Sequence, residues 1–156
     1  MLETRTATAA DAALISAHRR AMFETMGGSP ASALDSMSRQ FEPWVKRMIT
    51  EGKYLGWITT DDARPIASAG LLVLDWPPHP LDPAGEHRGY LLNIFVEQAY
   101  RGRRLAHRLI QFCMAEARRR QLKVVALHSS DAGRPVYESF GFRSTSEMFY
   151  VERTES

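Results

Sequence analysis

The chain is poor in the residues that would build a covalent or metal-stapled fold. Its one cysteine, Cys113, has no partner for an intramolecular disulfide. Five histidines are scattered along the chain and, with that cysteine, offer no spacing suited to a metal ion. No apolar run approaches the roughly 20 residues needed to cross a bilayer, so membrane residence is not expected. There is no basic start followed by an apolar stretch and a small-residue cleavage site, and the cytoplasm is the expected location. Repeats, low-complexity tracts and lipidation signals are missing too. Neither Gly-x-x-x-x-Gly-Lys-Ser/Thr nor Gly-x-Gly-x-x-Gly occurs, which counts against nucleoside triphosphates and dinucleotides. The net charge of +2, without aromatics interleaved among the basic residues, argues against nucleic acid as a partner.

What is present suits one compact domain over residues 1–156, with 44% hydrophobic and 24% charged residues. The charge is unevenly placed. Residues 101–120 hold Arg101, Arg103, Arg104, Arg108, Arg118, Arg119 and Arg120 against Glu116 alone. The first three fall at an expected helix start, where cations oppose the helix dipole unless an anion is bound there. Just before them, Leu91 to Val96 is too continuously apolar for a half-exposed strand and reads as central in a sheet. A buried strand that runs through a basic, glycine-containing turn into a helix is a ready site for phosphate oxygens, and Gly102 lets backbone N–H groups converge there.

The rest of the chain divides by period and punctuation. Leu2 to Ala7 is extended, and Thr8 caps a first helix that runs to about Met26, where Gly27-Gly28-Ser29-Pro30 stops it. A second helix covers Ser32 to Thr50, with Pro43 as the expected point of interruption. Tyr54–Thr60 and Ile66–Trp76 form a hairpin, and the proline-rich stretch from Pro77 to Gly85 is a surface loop and a candidate pocket wall. After the central strand Arg88–Val96 comes a helix over about Arg103–Gln121, whose apolar stripe carries Cys113 as a packing residue. Lys123–His128 closes a βαβ crossover. Ser129-Ser130-Asp131 then caps a short helix to about Phe140, Gly141 ends it, and Phe142–Val151 supplies a last strand.

Two stretches resemble motifs of the GNAT-type, acyl-CoA-dependent N-acetyltransferases. Arg101-Gly102-Arg103-Arg104-Leu105-Ala106 resembles motif A, Arg/Gln-x-x-Gly-x-Gly/Ala after a β-strand, with Arg104 in place of the middle glycine. Downstream, Tyr137-Glu138-Ser139-Phe140-Gly141-Phe142 resembles the family's Tyr-Glu-x-x-Gly-Phe motif, and Leu2 to Ile15 resembles its first strand and helix.

The resemblance implies an α/β (α+β) fold: a single domain with a central mixed sheet of six to seven strands, about four flanking helices and parallel central strands that splay. It implies transfer of an acetyl group from acetyl-CoA to a small-molecule or peptide amine by direct attack. Ile94, Phe95 and Val96 would then pair with the pantetheine arm, with a bulge at Phe95 or Val96. Arg101, Gly102, Arg103, Arg104, Leu105 and Ala106 would surround the pyrophosphate, and Ser130, with Ser129 or Asp131 as alternatives, would bond the cofactor arm. Tyr137 would act as general acid on the departing thiolate. For the base that the amine requires, Glu86 and His87 lie just before the central strand; Asp75, Tyr90 and Glu24 are further possibilities, whereas His128 reads as a buried hydrogen-bonded residue. A non-catalytic CoA-binding or sensor module is the alternative, with Arg104 as its support, and a homodimer is compatible with the family.

Overall fold

The computed structural model describes residues 1–152; residues 153–156 of the expected domain lie outside it. Strand β1 (Leu2–Thr6) leads into a single 3-10 turn, Ala9–Asp11, and helix α1 (Ala12–Met26). Asp11 fixes this start: its carboxylate accepts the Thr8 N–H at 2.7 Å and both guanidinium nitrogens of Arg5 at 2.8 Å. Helix α2 (Ala31–Thr50) follows and runs unbroken through Pro43, correcting the expected interruption. Proline there removes one backbone hydrogen bond, and the buried anchors Leu34, Phe41 and Val45 hold the helix on either side of the loss.

Strands β2 (Tyr54–Asp61) and β3 (Arg64–Asp75) form the expected hairpin, closed by Asp62 and Ala63, both at positive φ, as a two-residue turn between twisted strands requires. Then come β4 (His87–Val96), a 3-10 turn at Gln98–Tyr100, α3 (Leu105–Arg119), β5 (Val125–Leu127) and the short α4 (Arg134–Ser139). The sheet order is β1-β2-β3-β4-β5, antiparallel except for the β4–β5 pair.

Helices cover both faces of this sheet, which is why β3 and β4 are apolar on consecutive residues. Leu71 and Leu91 pack with Leu109, Ile110, Cys113 and Ala117 of α3, whereas Leu72 and Leu92 turn to Ile15, Phe41, Val45 and Tyr54 beneath α1 and α2. Cys113 is fully buried, and burial pushes its thiol up to about 12, so it packs and does not react.

The sheet has five strands among the described residues, not six to seven. The difference includes Phe142–Val151, which forms no strand. Ser144 and Thr145 direct their hydroxyls to Arg134 (2.9 Å) and to the Glu147 N–H (3.4 Å), local bonds that compete with a ladder. Beyond them Met148, Phe149, Tyr150 and Val151 are 64 to 93% exposed, so no apolar face draws the segment onto the sheet.

Candidate functional site

Strands β4 and β5 pair only from Gly89↔Val125 to Leu91↔Leu127, and β4 then continues alone for five residues to Val96. On its other edge β3 stays paired as far as Ala67↔Val96. Residues 92–96 therefore present one backbone edge with no strand partner among the described residues. Ile94 and Val96 face the α3 core, and the Phe95 ring lies 4.7 Å from that of His18 on the opposite face.

The bulge lies earlier than the expected Phe95 or Val96. Pairing runs Ser68↔Phe95 and then Gly70↔Leu92, so Asn93 and Ile94 together oppose Ala69. Asn93 supplies the extra residue at φ +58, a conformation asparagine tolerates better than the β-branched residues around it. Its side chain, 2% exposed, is fixed from both ends: Nδ2 donates to the Tyr54 hydroxyl at 3.0 Å, and Oδ1 accepts from Arg19 at 2.7 Å. Tyr54 reaches this position only across Gly70, where a Cβ would stand 2.2 Å from its hydroxyl.

Past Val96 the chain makes the 3-10 turn and then a tight loop in which Gly102 (φ +79) and Arg104 (φ +61) are both left-handed. Arg104 is the N-cap of α3, so the arginine at the usual glycine position still takes a glycine-like backbone. The first helical bond runs from the Arg108 N–H to the Arg104 carbonyl at 3.1 Å, leaving the N–H groups of Leu105, Ala106 and His107 without a helical acceptor. Leu105 is buried and anchors the helix start. Arg101 Nε donates to the Val96 carbonyl at 3.2 Å, and the Arg103 guanidinium lies 4.9 Å from the Tyr100 ring centre. Arg101 to Arg104 are exposed, so this loop offers cations and free N–H groups to solvent at the end of the open strand edge.

Tyr137 stands on α4, half-buried against the α3 core and edge-on to Phe142 at 6.1 Å. Gly133 passes beneath its ring, where a Cβ would lie 3.2 Å away. Burial pushes its phenol above the usual tyrosine range, so it stays protonated at neutral pH. Ser130 builds the turn into α4: its hydroxyl accepts the Gly133 N–H at 3.1 Å, and its carbonyl accepts the Gly133 and Arg134 N–H groups at 3.2 and 3.1 Å.

Tyr137 shares a cavity of about 690 Å³ with His87, Tyr90, His128 and Ser129; neither residues 94–96 nor residues 101–106 line it. Glu86 is outside it and His87 pairs with Asp75 at 3.3 Å. His87 begins β4 and Glu86 immediately precedes it, which puts them roughly 20 Å or more along the chain from Asn93 at about 3.3 Å per residue. Closer to the bulge, the Tyr90 hydroxyl is hydrogen-bonded to His128 Nδ1.

Sequence reasoning passed over His18, Arg19, Ser68 and Asn93. His18 Nδ1 and Ser68 Oγ are 2.7 Å apart beneath Phe95, and burial pulls the imidazole below the usual histidine range, leaving it neutral at pH 7. The one visible signal was Asn93 itself, a lone amide inside the apolar run from Leu91 to Val96.

Residues 24–154 match the family model described as an acetyltransferase (GNAT) domain. A GCN5-related N-acetyltransferase from Ralstonia eutropha JMP134 is similar at 34% identity with a TM-score of 0.92, over 97% of this chain and 99% of that one. A predicted acetyltransferase from Clostridium acetobutylicum, crystallised with acetyl-CoA, shares the fold at 24% identity and a TM-score of 0.89, over 97 and 96% of the two chains. Glucosamine-6-phosphate N-acetyltransferase from Arabidopsis thaliana shares it at 14% identity and a TM-score of 0.70, over 97 and 98%. Comparison with curated proteins gives no match.

Proposed function

The chain belongs to the GNAT acetyltransferase family and takes acetyl-CoA as its acyl donor; on that premise we propose that it acetylates an amine by direct attack on the thioester, with Tyr137 as general acid. The observation that carries this reading is the open edge of β4 over residues 92–96, continuous with the N–H-rich start of α3. An extended pantetheine arm pairs with Ile94, Phe95 and Val96 as an added strand, and the loop from Arg101 to Ala106 receives the pyrophosphate through Gly102 N–H, the first-turn N–H groups and the arginines. Backbone N–H groups next to the bulge polarise the carbonyl. With its hydroxyl and carbonyl engaged in the turn, Ser130 meets the cofactor arm through its backbone N–H.

As the thiolate leaves, the protonated phenol of Tyr137 supplies its proton. Proton uptake from the amine falls to His128, which is bonded to Tyr90 and lines the cavity with Tyr137. Glu86 and His87 come after it because of their distance along β4. Replacing Tyr137 by Phe is expected to lower kcat about a hundredfold, the low end for general acid catalysis, while CoA affinity stays within twofold. Unchanged turnover with a verified acceptor removes the role. His128→Gln should lower kcat/KM at least tenfold, and a loss of that size in His87→Gln or Glu86→Gln instead would move the base there. The non-catalytic alternative predicts acetyl-CoA binding without thiol release. The left-handed backbone of Arg104 keeps the loop path despite the missing glycine, which both readings require, so thiol release is what separates them.

We also propose that two copies associate through Met148–Val151, four consecutive exposed apolar residues beside the short edge strand β5. Sedimentation equilibrium should show a dimer that Phe149→Glu with Tyr150→Glu dissociates; a monomer at all concentrations rejects it.

A further inference from the structure

We propose that the acceptor amine carries an oxyanion, a carboxylate or a phosphate, which Arg19 binds at a cavity between α1 and α2. This rests on the acetyltransferase reading above. Arg19 of α1 lines an open cavity of about 390 Å³ together with Gln40, Phe41, Trp44 and Arg47 of α2. The volume suits a small amine and not the bulk of CoA.

The state of Arg19 calls for an anion. Its guanidinium carbon lies 5.0 Å from the Phe23 ring centre and 4.9 Å from that of Phe41, so both neighbours strip water from it. One nitrogen donates to Asn93 Oδ1 at 2.7 Å, and Nε is buried with no partner. Among the described residues no carboxylate lies within ion-pair distance of Arg19 or of Arg47, while the adjacent Arg20 has both Glu24 at 2.8 Å and Asp35 at 2.5 Å. The phenols closest in electrostatic influence, Tyr54 and Tyr90, are held protonated by burial and provide no counter-charge. A half-buried guanidinium with unspent donors and no internal anion is costly for a purely structural residue. It becomes favourable when a planar or tetrahedral oxyanion takes its free donors.

The location links this charge to the reaction. Arg19 is one hydrogen bond from Asn93, and Asn93 makes the bulge beside which the thioester is proposed to lie. An anion held on Arg19 leaves an amine two or three bonds away near the end of the open β4 edge. Arg47, on the same wall, adds a second unpaired cation that favours phosphate or a dicarboxylate further out.

Matched pairs test the proposal. With saturating acetyl-CoA, thiol release is measured for amino acids against their α-carboxamides, and for O-phosphoethanolamine against ethanolamine. The anionic member of at least one pair should show a kcat/KM at least tenfold higher, carried by KM, and the winning pair separates carboxylate from phosphate. Arg19→Gln should erase the preference by raising the KM of the anionic member far more than that of its uncharged counterpart, and Arg19→Lys should restore part of it. Equal use of charged and uncharged members, or a preference that survives Arg19→Gln, overturns the proposal. Should the glutamine variant fail to fold, the preference in the native protein and its weakening in Arg19→Lys still decide. If no amine releases thiol, the acetylation reading fails on its own account. Calorimetry of the CoA-bound protein with N-acetyl amino acids and inorganic phosphate then decides the anion site: heat that competes between the two upholds it, and no heat sinks it.

Discussion

Two residues other than glycine hold left-handed backbone where the site is built, and they bear it differently. Asn93 tolerates φ +58 with its amide spent on Tyr54 and Arg19, whereas Arg104 takes φ +61 with a long side chain that gains nothing from it. Arg104→Gly should therefore raise the unfolding free energy by about 1 kcal/mol, read from urea denaturation, since glycine enters this region freely. A loss of CoA affinity in the same variant would report the missing cation separately from the backbone. At Asn93, glycine and alanine both remove the amide, but alanine also pays for positive φ. Asn93→Ala should thus be less stable than Asn93→Gly by about 1 kcal/mol. Neither φ was legible from the sequence. Asn93 could be seen as a polar intrusion, yet what places the bulge there and not at Phe95 is Tyr54 reaching over Gly70, a contact between strands that no local pattern reveals.

At the scale of elements, the sequence was most readable where period and punctuation agreed. The Gly27–Pro30 stop, the hairpin turn at Asp62-Ala63 and the apolar stripe of α3 all fall within a residue or two of expectation. The reading failed where tertiary contacts decide. Pro43 leaves α2 intact because buried anchors flank it, and Phe142–Val151 stays off the sheet because its hydroxyls bond locally and its apolar residues meet no core. Motif A and the tyrosine motif point to the loop at residues 101–106 and to Tyr137 as the proposed cofactor and acid positions, whereas the proposed acceptor side, built by α1 and α2 around Arg19, carries no motif at all. The β2–β3 pairing makes its own prediction. A methyl at Gly70 would collide with the buried Tyr54, so Gly70→Ala should destabilise by about 1–3 kcal/mol, the usual cost of overpacking, and release Asn93. Thermal unfolding and acetyl-CoA affinity should fall together in that variant.

For the molecule as a whole, stability should fall on acidification in two stages. His18 has a folded pKa below its unfolded value because it is buried, so the unfolded chain binds the extra proton first. The stability it gives is complete above about pH 6.5 and is lost as pH falls through the depressed folded value. Asp11, held low by the Arg5 guanidinium, and Glu116, drawn down to about 2 by Arg119 and Arg120, lose theirs only below about pH 4. Melting temperatures between pH 8 and pH 3 should show both declines, and His18→Asn, which keeps a partner for Ser68, should remove the first. A single decline below pH 4 in the native protein would contradict this assignment.

The lone stretch of β4 has one more consequence. An unpaired strand edge is a template for any other chain that meets it, and with acetyl-CoA bound as proposed the cofactor occupies that edge as a strand would. At a hundredfold excess over Kd, binding adds about 2.7 kcal/mol to folding. Supply of the cofactor would then set both the stability of the fold and the exposure of that edge.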